Sequence, residues 1–323
     1  MQRIMLAAVA AALLLPNAAL AWGLHGHEII GRAAVAHLPA DLPAFARSDA
    51  AKDEIIYLQS EEDRLKLGGR DTDAWTREWT TDHYIDITDD LSIGGAVSID
   101  ALPPTREKFM LALMRATPPV DPYDIGFLPY AIVEGYEQVR LDFALWRRAQ
   151  AAQTGLSGDQ LAKARKTLAL RESLILHDIG LFSHFVGDGS QPLHVSVHYN
   201  GWGKYPNPNN YSQDNTTHAQ FESDFVDKFM DAGQVTPLVA PAVTFSATPL
   251  QEIQTYLKAT DSQVVPFYEL KKKGAFALDD STSAAHRQGL EFTRQRLASG
   301  AQMLDSLIET AWRTSADIKG RED

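Results

Sequence analysis

The chain has 323 residues, 45% of them hydrophobic and 22% charged, which excludes a disordered or low-complexity polypeptide and allows a sizeable core. It has no cysteine, so disulfides, thiolate metal sites and cysteine nucleophiles are excluded. A formal charge of −12 disfavours nucleic-acid binding by the surface as a whole, although a cleft can carry a local charge of its own.

Met1-Gln2-Arg3 is a short positive start, and residues 4–15 are an unbroken apolar run. Pro16 and Asn17 break the run, and Ala19-Leu20-Ala21 fits a small-residue cleavage site. The pattern predicts a signal peptide over residues 1–21, cleaved before Trp22, and hence a secreted or periplasmic protein. The run is too short to span a bilayer comfortably. Residues 22–323 read as one domain.

Beyond Trp22, helical periodicity appears over residues 27–38, 105–116, 128–153, 161–187, 217–230, 250–268 and 283–312. Ser157 and Gln160 have the spacing of a capping box at the start of the fourth of these. Residues 90–104 read as a loop, and Val97-Ser98-Ile99 is too short to count as a strand. Residues 194–217 read as a long loop rich in Gly, Pro and Asn, with Tyr199, Trp202, Tyr205 and Tyr211. Long ordered loops are more often functional than accidental. Lys271, Lys272 and Lys273 read as a solvated helix end. The fold class expected is all-α, in a single multi-helix domain.

The histidines stand beside carboxylates at useful intervals. His184 and Asp188 are an i, i+4 pair, which places both side chains on one helical face. His194 follows just past Gln191-Pro192-Leu193, where that helix must end. His218 and Glu222 form a second i, i+4 pair, His83-Tyr84-Ile85-Asp86 a third cluster, and His27 lies five residues after Trp22. Imidazole and carboxylate together suit zinc or a similar first-row ion in a helix bundle. The Glu-x-x-His spacing of di-iron bundles and the His-Glu-x-x-His zincin motif are both absent.

These segments, in order, resemble the S1/P1 nuclease and zinc-dependent phospholipase C superfamily. The residues that carry the resemblance are Trp22-Gly23-Leu24-His25-Gly26-His27, His83-Tyr84-Ile85-Asp86, the run from His184 through Gly187-Asp188 and Gln191-Pro192-Leu193 to His194, and His218 with Glu222. They span about the first two-thirds of the chain, and the C-terminal third carries no matching motif. The resemblance implies a helical fold with a trinuclear cleft holding three Zn2+ per chain. One zinc would take His83, His184, Asp188 and an upstream aspartate. A second would take His194, His218 and Glu222. A third would take His27, Asp188 as a bridge, and the amino and carbonyl groups of Trp22, whose amine exists only after signal cleavage. The upstream aspartate is one of Asp53, Asp63, Asp71 and Asp73. The family carries a basic residue three positions on, and Lys66 stands there after Asp63, so Asp63 and Lys66 are chosen.

The resemblance further implies phosphodiester hydrolysis, in which zinc lowers the pKa of water to about 7 and stabilises the leaving oxygen. Three divalent ions outweigh Asp63, Asp188 and Glu222, so the site would be positive on an acidic body. Tyr84 would stack a base and Asp86 bond its edge, with single-stranded nucleic acid as substrate. The opposing reading makes Tyr84 a packing residue and Asp86 the acceptor that orients a ligand histidine. His198, in the aromatic loop, is expected to touch substrate. His177 reads as a core histidine, and His25, His37 and His286 as packing or surface residues. Glu222 is aspartate in the fungal nucleases and glutamate in the phospholipases, which keeps open a phospholipase C acting on phosphatidylcholine-like lipids. A non-catalytic exported zinc-binding protein is the remaining alternative.

Overall fold

The computed structural model describes residues 22–68, 79–279 and 281–319. The expected signal segment 1–21, the side chain of Lys66, and Asp71 and Asp73 lie outside the described residues. The protein is mostly helical, with almost no strand.

Helix α1, Gly23–Val35, follows directly from Trp22. Helices α2, Asp49–Leu58, and α3, Glu61–Gly68, come next; neither is foreseen by periodicity. Ser48 caps α2 by accepting a hydrogen bond from the Ala51 amide at 3.2 Å. Helices α4, Arg106–Met114, α5, Leu128–Ala151, and α6, Gly158–Asp188, match three predicted helices closely. Residues 217–229 form α7, with α-helical turns Thr217–Ala219 and Val226–Phe229 flanking a π-helical stretch, Gln220–Phe225. The last predicted helix is α10, Ala284–Thr314.

Three expectations need correction. The helix predicted over 250–268 is two: α8, Pro249–Asp261, and α9, Val264–Lys272. Pro266 has no N–H for the carbonyl four residues back, so it breaks a continuous helix but fits the first turn of a new one. Ser157 occupies the N-cap of α6, yet its side chain makes no capping hydrogen bond. Complete capping boxes stand instead at Asp231 with Gln234 and at Thr248 with Gln251. Within the predicted loop 90–104, Ser92–Ile93 and Val97–Ser98 pair as a small antiparallel hairpin, with Ile93 opposite Val97.

One apolar cluster runs through the described residues. The α5–α6 hairpin makes the most extensive helix pairing; α10 packs across α1, α5 and α6, and α2 lies on α6. Arginines of α5 hold the C-terminal end of α10. Arg147 donates to the Trp312 carbonyl at 3.0 Å and stacks 3.4 Å above the Trp312 ring. Arg140 donates to the Thr314 carbonyl. These cations meet the partial negative charge of a helix C-terminus. Among the described residues no helix is long and apolar enough to cross a membrane.

Asp305 of α10 is fully buried, and among the described residues no hydrogen-bond partner reaches its carboxylate. Burial, reinforced by Glu309, pushes its pKa up to about 7. A folded-state pKa raised above the unfolded value adds a destabilising term that sets in as pH rises through the unfolded value near 4 and is complete above the folded value near 7. Asp305→Asn removes that term. Its stability gain over wild type should therefore grow by about 4 kcal/mol between pH 4 and pH 8, as read from urea unfolding; a gain independent of pH would contradict the assignment.

Candidate metal centre

Helix α6 delivers the core of the site. Its last turn carries His184 and Asp188, both fully buried. The helix then stops at Asp188, and Gln191-Pro192 turns the chain into a short 3-10 segment, Pro192–His194, which brings His194 back beside it. The turn after the helical residues 79–81 presents His83, α3 presents Asp63, α1 presents His27, and α7 presents His218 and Glu222.

The side chains gather into three buried groups, each able to hold a metal ion: His27, His184 and Asp188; Asp63, His83 and His184; and His194, His218 and Glu222. His184 belongs to two of them. Asp188 Oδ1 lies 3.3 Å from His27 Nε2, while its Oδ2 lies 3.4 Å from His184 Nε2. Its two oxygens thus face two different sites. Asp188 Oδ1 also stands 4.0 Å from His194 Nδ1, so the third group adjoins the first. His83 Nε2 and His184 Nε2 approach Asp63 at 3.7 and 3.9 Å. Two ligands about 2.0–2.1 Å from one tetrahedral ion stand about 3.4 Å apart, so these separations fit shared coordination.

The histidine orientations come from the backbone. His184 Nδ1 donates to the Gln59 carbonyl, His83 Nδ1 to Trp79, and His194 Nδ1 to His83, each at 2.7 Å; His218 Nδ1 donates to Tyr199 at 3.0 Å. A carbonyl only accepts, so each Nδ1 carries the proton and each Nε2 turns a lone pair inward. His194 Nε2 and His218 Nε2 stand 3.0 Å apart, and His218 Nε2 is 2.6 Å from Glu222 Oε2. Two such lone pairs at that distance need a cation or a proton between them. Burial holds His194 below the usual imidazole range, favouring the neutral ligand form over a shared proton. Asp63, Asp188 and Glu222 are all buried, and three buried anionic groups require compensating positive charge. A nitrogen and oxygen donor set without sulfur suits a first-row divalent ion.

Trp22 is fully buried at the start of α1. Its indole Nε1 donates to the Gly187 carbonyl at 3.0 Å and to Ser190 Oγ at 2.8 Å, pinning the residue to the stretch that holds Asp188. Gly187 is required by close approach: a Cβ there would lie 3.0 Å from His27 Nδ1.

A cleft of about 320 Å3 opens onto this centre, lined by His83, His194 and His218 on the metal side. Tyr84, Asp86, Asp124, Tyr199 and Asn200 form much of its remaining wall. Tyr84 donates from its hydroxyl to the Tyr123 carbonyl at 3.2 Å. The chain passes so close behind it at Gly126, with φ of +91°, that a Cβ would strike the Tyr84 carbonyl. Burial, with Asp124 adding repulsion, raises the Asp86 pKa to about 7.

Tyr84 and Asp86 both face the cleft; His198 does not. It is buried, with Nδ1 bonded to the Trp202 carbonyl at 2.8 Å, Nε2 to Asp89 at 3.0 Å, and its ring stacked 3.7 Å from that of Trp202. Its work is to order the aromatic loop. His177 is also corrected: it is exposed and bonded to Asp178, outside the core. Asp53 is exposed on α2, so among the described candidates Asp63 alone joins the site. His25 and His37 bond the carbonyls of Met230 and Thr236, and His286 packs on Phe225 and Phe229.

Sequence reasoning missed Gln59 and Trp79, which act through carbonyls and leave no side-chain signal. It also passed over Gln191, whose amide donates to Glu222 Oε2 at 3.3 Å, although Gln191 stands within the motif. Compared with the models of known protein families and with curated proteins, the chain matches none.

Gly187→Ala should displace the His27 ring while leaving His194, His218 and Glu222 in place. Metal analysis of the purified variant should show partial loss, with the remaining metal held as tightly as in wild type. Full retention would show that His27 is not a ligand.

Proposed function

We propose that the protein is an exported zinc-dependent phosphodiesterase, a nuclease of the S1/P1 type. It would hydrolyse single-stranded DNA or RNA to 5′-phosphate products. The observation that carries this reading is the contiguity of the three buried groups through His184 and Asp188. A storage or structural site has no need to set three ion positions side by side at the floor of a cleft.

The donor set fits three zinc ions: Asp63, His83 and His184; His27, Asp188 and the Trp22 terminus; and His194, His218 and Glu222. Bound there, zinc supplies Lewis acidity, which activates water and neutralises phosphoryl charge. The chain's own residues do the rest. Backbone carbonyls hold the imidazoles in one tautomer, and Asp188 divides its oxygens between neighbouring sites. Tyr84 offers a ring face to a base, worth about 1–3 kcal/mol in stacking. Asp86, with a pKa near neutrality, can either donate to or accept from the base edge. Asn200 holds the His218 amide through its Oδ1, coupling the cleft wall to α7. Lys66 is retained as a candidate catalytic residue from its position three residues after Asp63.

A second reading has its own support. Asp86, Asp124, Tyr84 and Tyr199 in one cleft also suit a quaternary ammonium, as on a phosphatidylcholine head group. Against it, the large exposed apolar side chains lie away from the cleft, apart from Tyr199.

The deciding experiment uses mature protein beginning at Trp22, with zinc, on single-stranded DNA and on phosphatidylcholine in parallel, with a chelator control. Chelator-sensitive DNA cleavage without lipid cleavage is expected, and the reverse pattern would assign the phospholipase reading. Asp188→Asn should lower turnover at least a thousandfold, about 4 kcal/mol in the barrier; near-wild-type turnover would exclude Asp188 as the bridge. One extra residue before Trp22 should remove one zinc equivalent and most activity. An extended protein that keeps all its zinc would rule out the terminal amine.

A further inference from the structure

We propose that the outer half of α6 is a docking surface for an anionic lipid bilayer, a reading independent of which ester the protein cleaves. From Gly158 to Leu174 this helix buries no residue. At about 1.5 Å per residue, the stretch begins about 20 Å and ends about 45 Å along the helix from Asp188, well away from the metal centre.

Leu161, Ala164 and Leu168 are half-buried at the spacing of an inner stripe. The opposite stripe is Lys163, Lys166, Leu170 and Leu174, all exposed; Arg165, also exposed, lies on the flank between the two stripes. Leu170 and Leu174 are 58% and 45% accessible, unusual for leucines on neighbouring turns. Leu141 of α5 is also exposed, next to the Asp142 that Arg171 approaches at 4.0 Å.

Charge sets this surface apart. Between Gln160 and Arg171 there are four cations and no carboxylate, in a chain where acids outnumber bases 42 to 30. Arginines of α5 are already engaged: Arg140, Arg147 and Arg148 bond carbonyls of Thr314, Trp312 and Ile318. Lys163, Arg165 and Lys166 have no such structural task among the described residues.

Cations followed along the same helix by exposed leucines match the boundary of an anionic leaflet, where phosphates meet acyl chains. A single-stranded nucleic acid would use the cations but gain nothing from the leucines, and it would want aromatic rings for stacking. The arm's aromatic ring, Trp146, is committed to Glu172 and to the rings of Phe45 and Trp312.

The test is vesicle co-sedimentation of the full mature protein. Vesicles are phosphatidylcholine alone or with about one-third phosphatidylglycerol, at low and high salt. Wild type should bind the anionic vesicles alone. Lys163→Gln, Arg165→Gln and Lys166→Gln together should weaken binding about a hundredfold, since each cation near such a surface contributes about fivefold. Leu170→Ser with Leu174→Ser should weaken it further and leave the salt dependence unchanged. Lys163→Arg with Lys166→Arg should preserve it, and circular dichroism of each variant checks the helix. No binding by wild type, equal binding to both vesicle types, or unchanged binding by the triple variant would overturn the proposal. So would tighter binding to a single-stranded oligonucleotide that ignores the leucine changes, which would assign the arm to nucleic acid.

Discussion

Three carboxylates, Asp63, Asp188 and Glu222, are buried within a few ångströms of five buried imidazoles, and that placement sets the terms for the surrounding fold. Desolvating a carboxylate costs several kcal/mol, and three together repel one another. Burial lowers the pKa of His194, which favours its neutral form over an imidazolium. Bound cations would supply positive charge there, and their binding energy would become folding energy. In a chain without cysteine, such a site would stand in for a disulfide staple.

The consequence is visible in which elements are tied together. The C-terminal end of α6 is reached by α1 through His27 and Trp22, by the end of α2 through the Gln59 carbonyl, by the 83–86 stretch through His83, and by α7 through His218 and Glu222. Most of these segments are distant in sequence. The Ile85 amide donates to the His194 carbonyl at 2.9 Å, while the His194 ring donates back to the His83 carbonyl, so two irregular segments fix each other. The aromatic loop is fixed independently: Tyr268 donates to the His198 carbonyl at 2.6 Å, and Tyr211 to Glu269 at 2.7 Å. That loop carries Tyr199 and Asn200 to the cleft wall.

What could be read from the sequence follows from these ties. The i, i+4 pairs of α6 and α7 were legible because helical geometry converts spacing into proximity. The π-helical stretch through Glu222 did not spoil the second pair, since His218 and Glu222 still meet at 2.6 Å. Asp63 was reachable only through a resemblance, because α3 has no apolar stripe to announce a helix and pairs its aspartate with a histidine twenty residues away. Carbonyl acceptors leave no trace in residue type, so the roles of Gln59 and Trp79 were invisible. His198 misled because a histidine in an aromatic loop looks like a ligand-facing group, whereas both its nitrogens serve the loop itself. Pro266 could have divided α8 from α9 in advance; the periodicity on either side of it concealed the break.

The cleft also imposes a direction on whatever enters it. Its floor is the metal centre, positive once loaded, while its wall holds Asp86 and Asp124, close enough for Asp124 to repel charge from Asp86. An anionic group is drawn to the floor and repelled by that wall. On the proposed reading, a ligand carries its phosphoryl group at one end and, a few ångströms away, a neutral edge rich in N–H donors or a cation. Phosphodiesters of nucleosides meet this demand, and so do zwitterionic head groups; inorganic polyphosphates and anionic lipids do not. An acidic body that discourages polyanions in general, with a small cleft that would take one phosphate in one orientation, would select by geometry and not by bulk charge. The basic arm proposed at the far end of α6 would work on the opposite principle, through the cations Lys163, Arg165 and Lys166. The two surfaces can then act on different partners at once, because a helix of 31 residues keeps them apart.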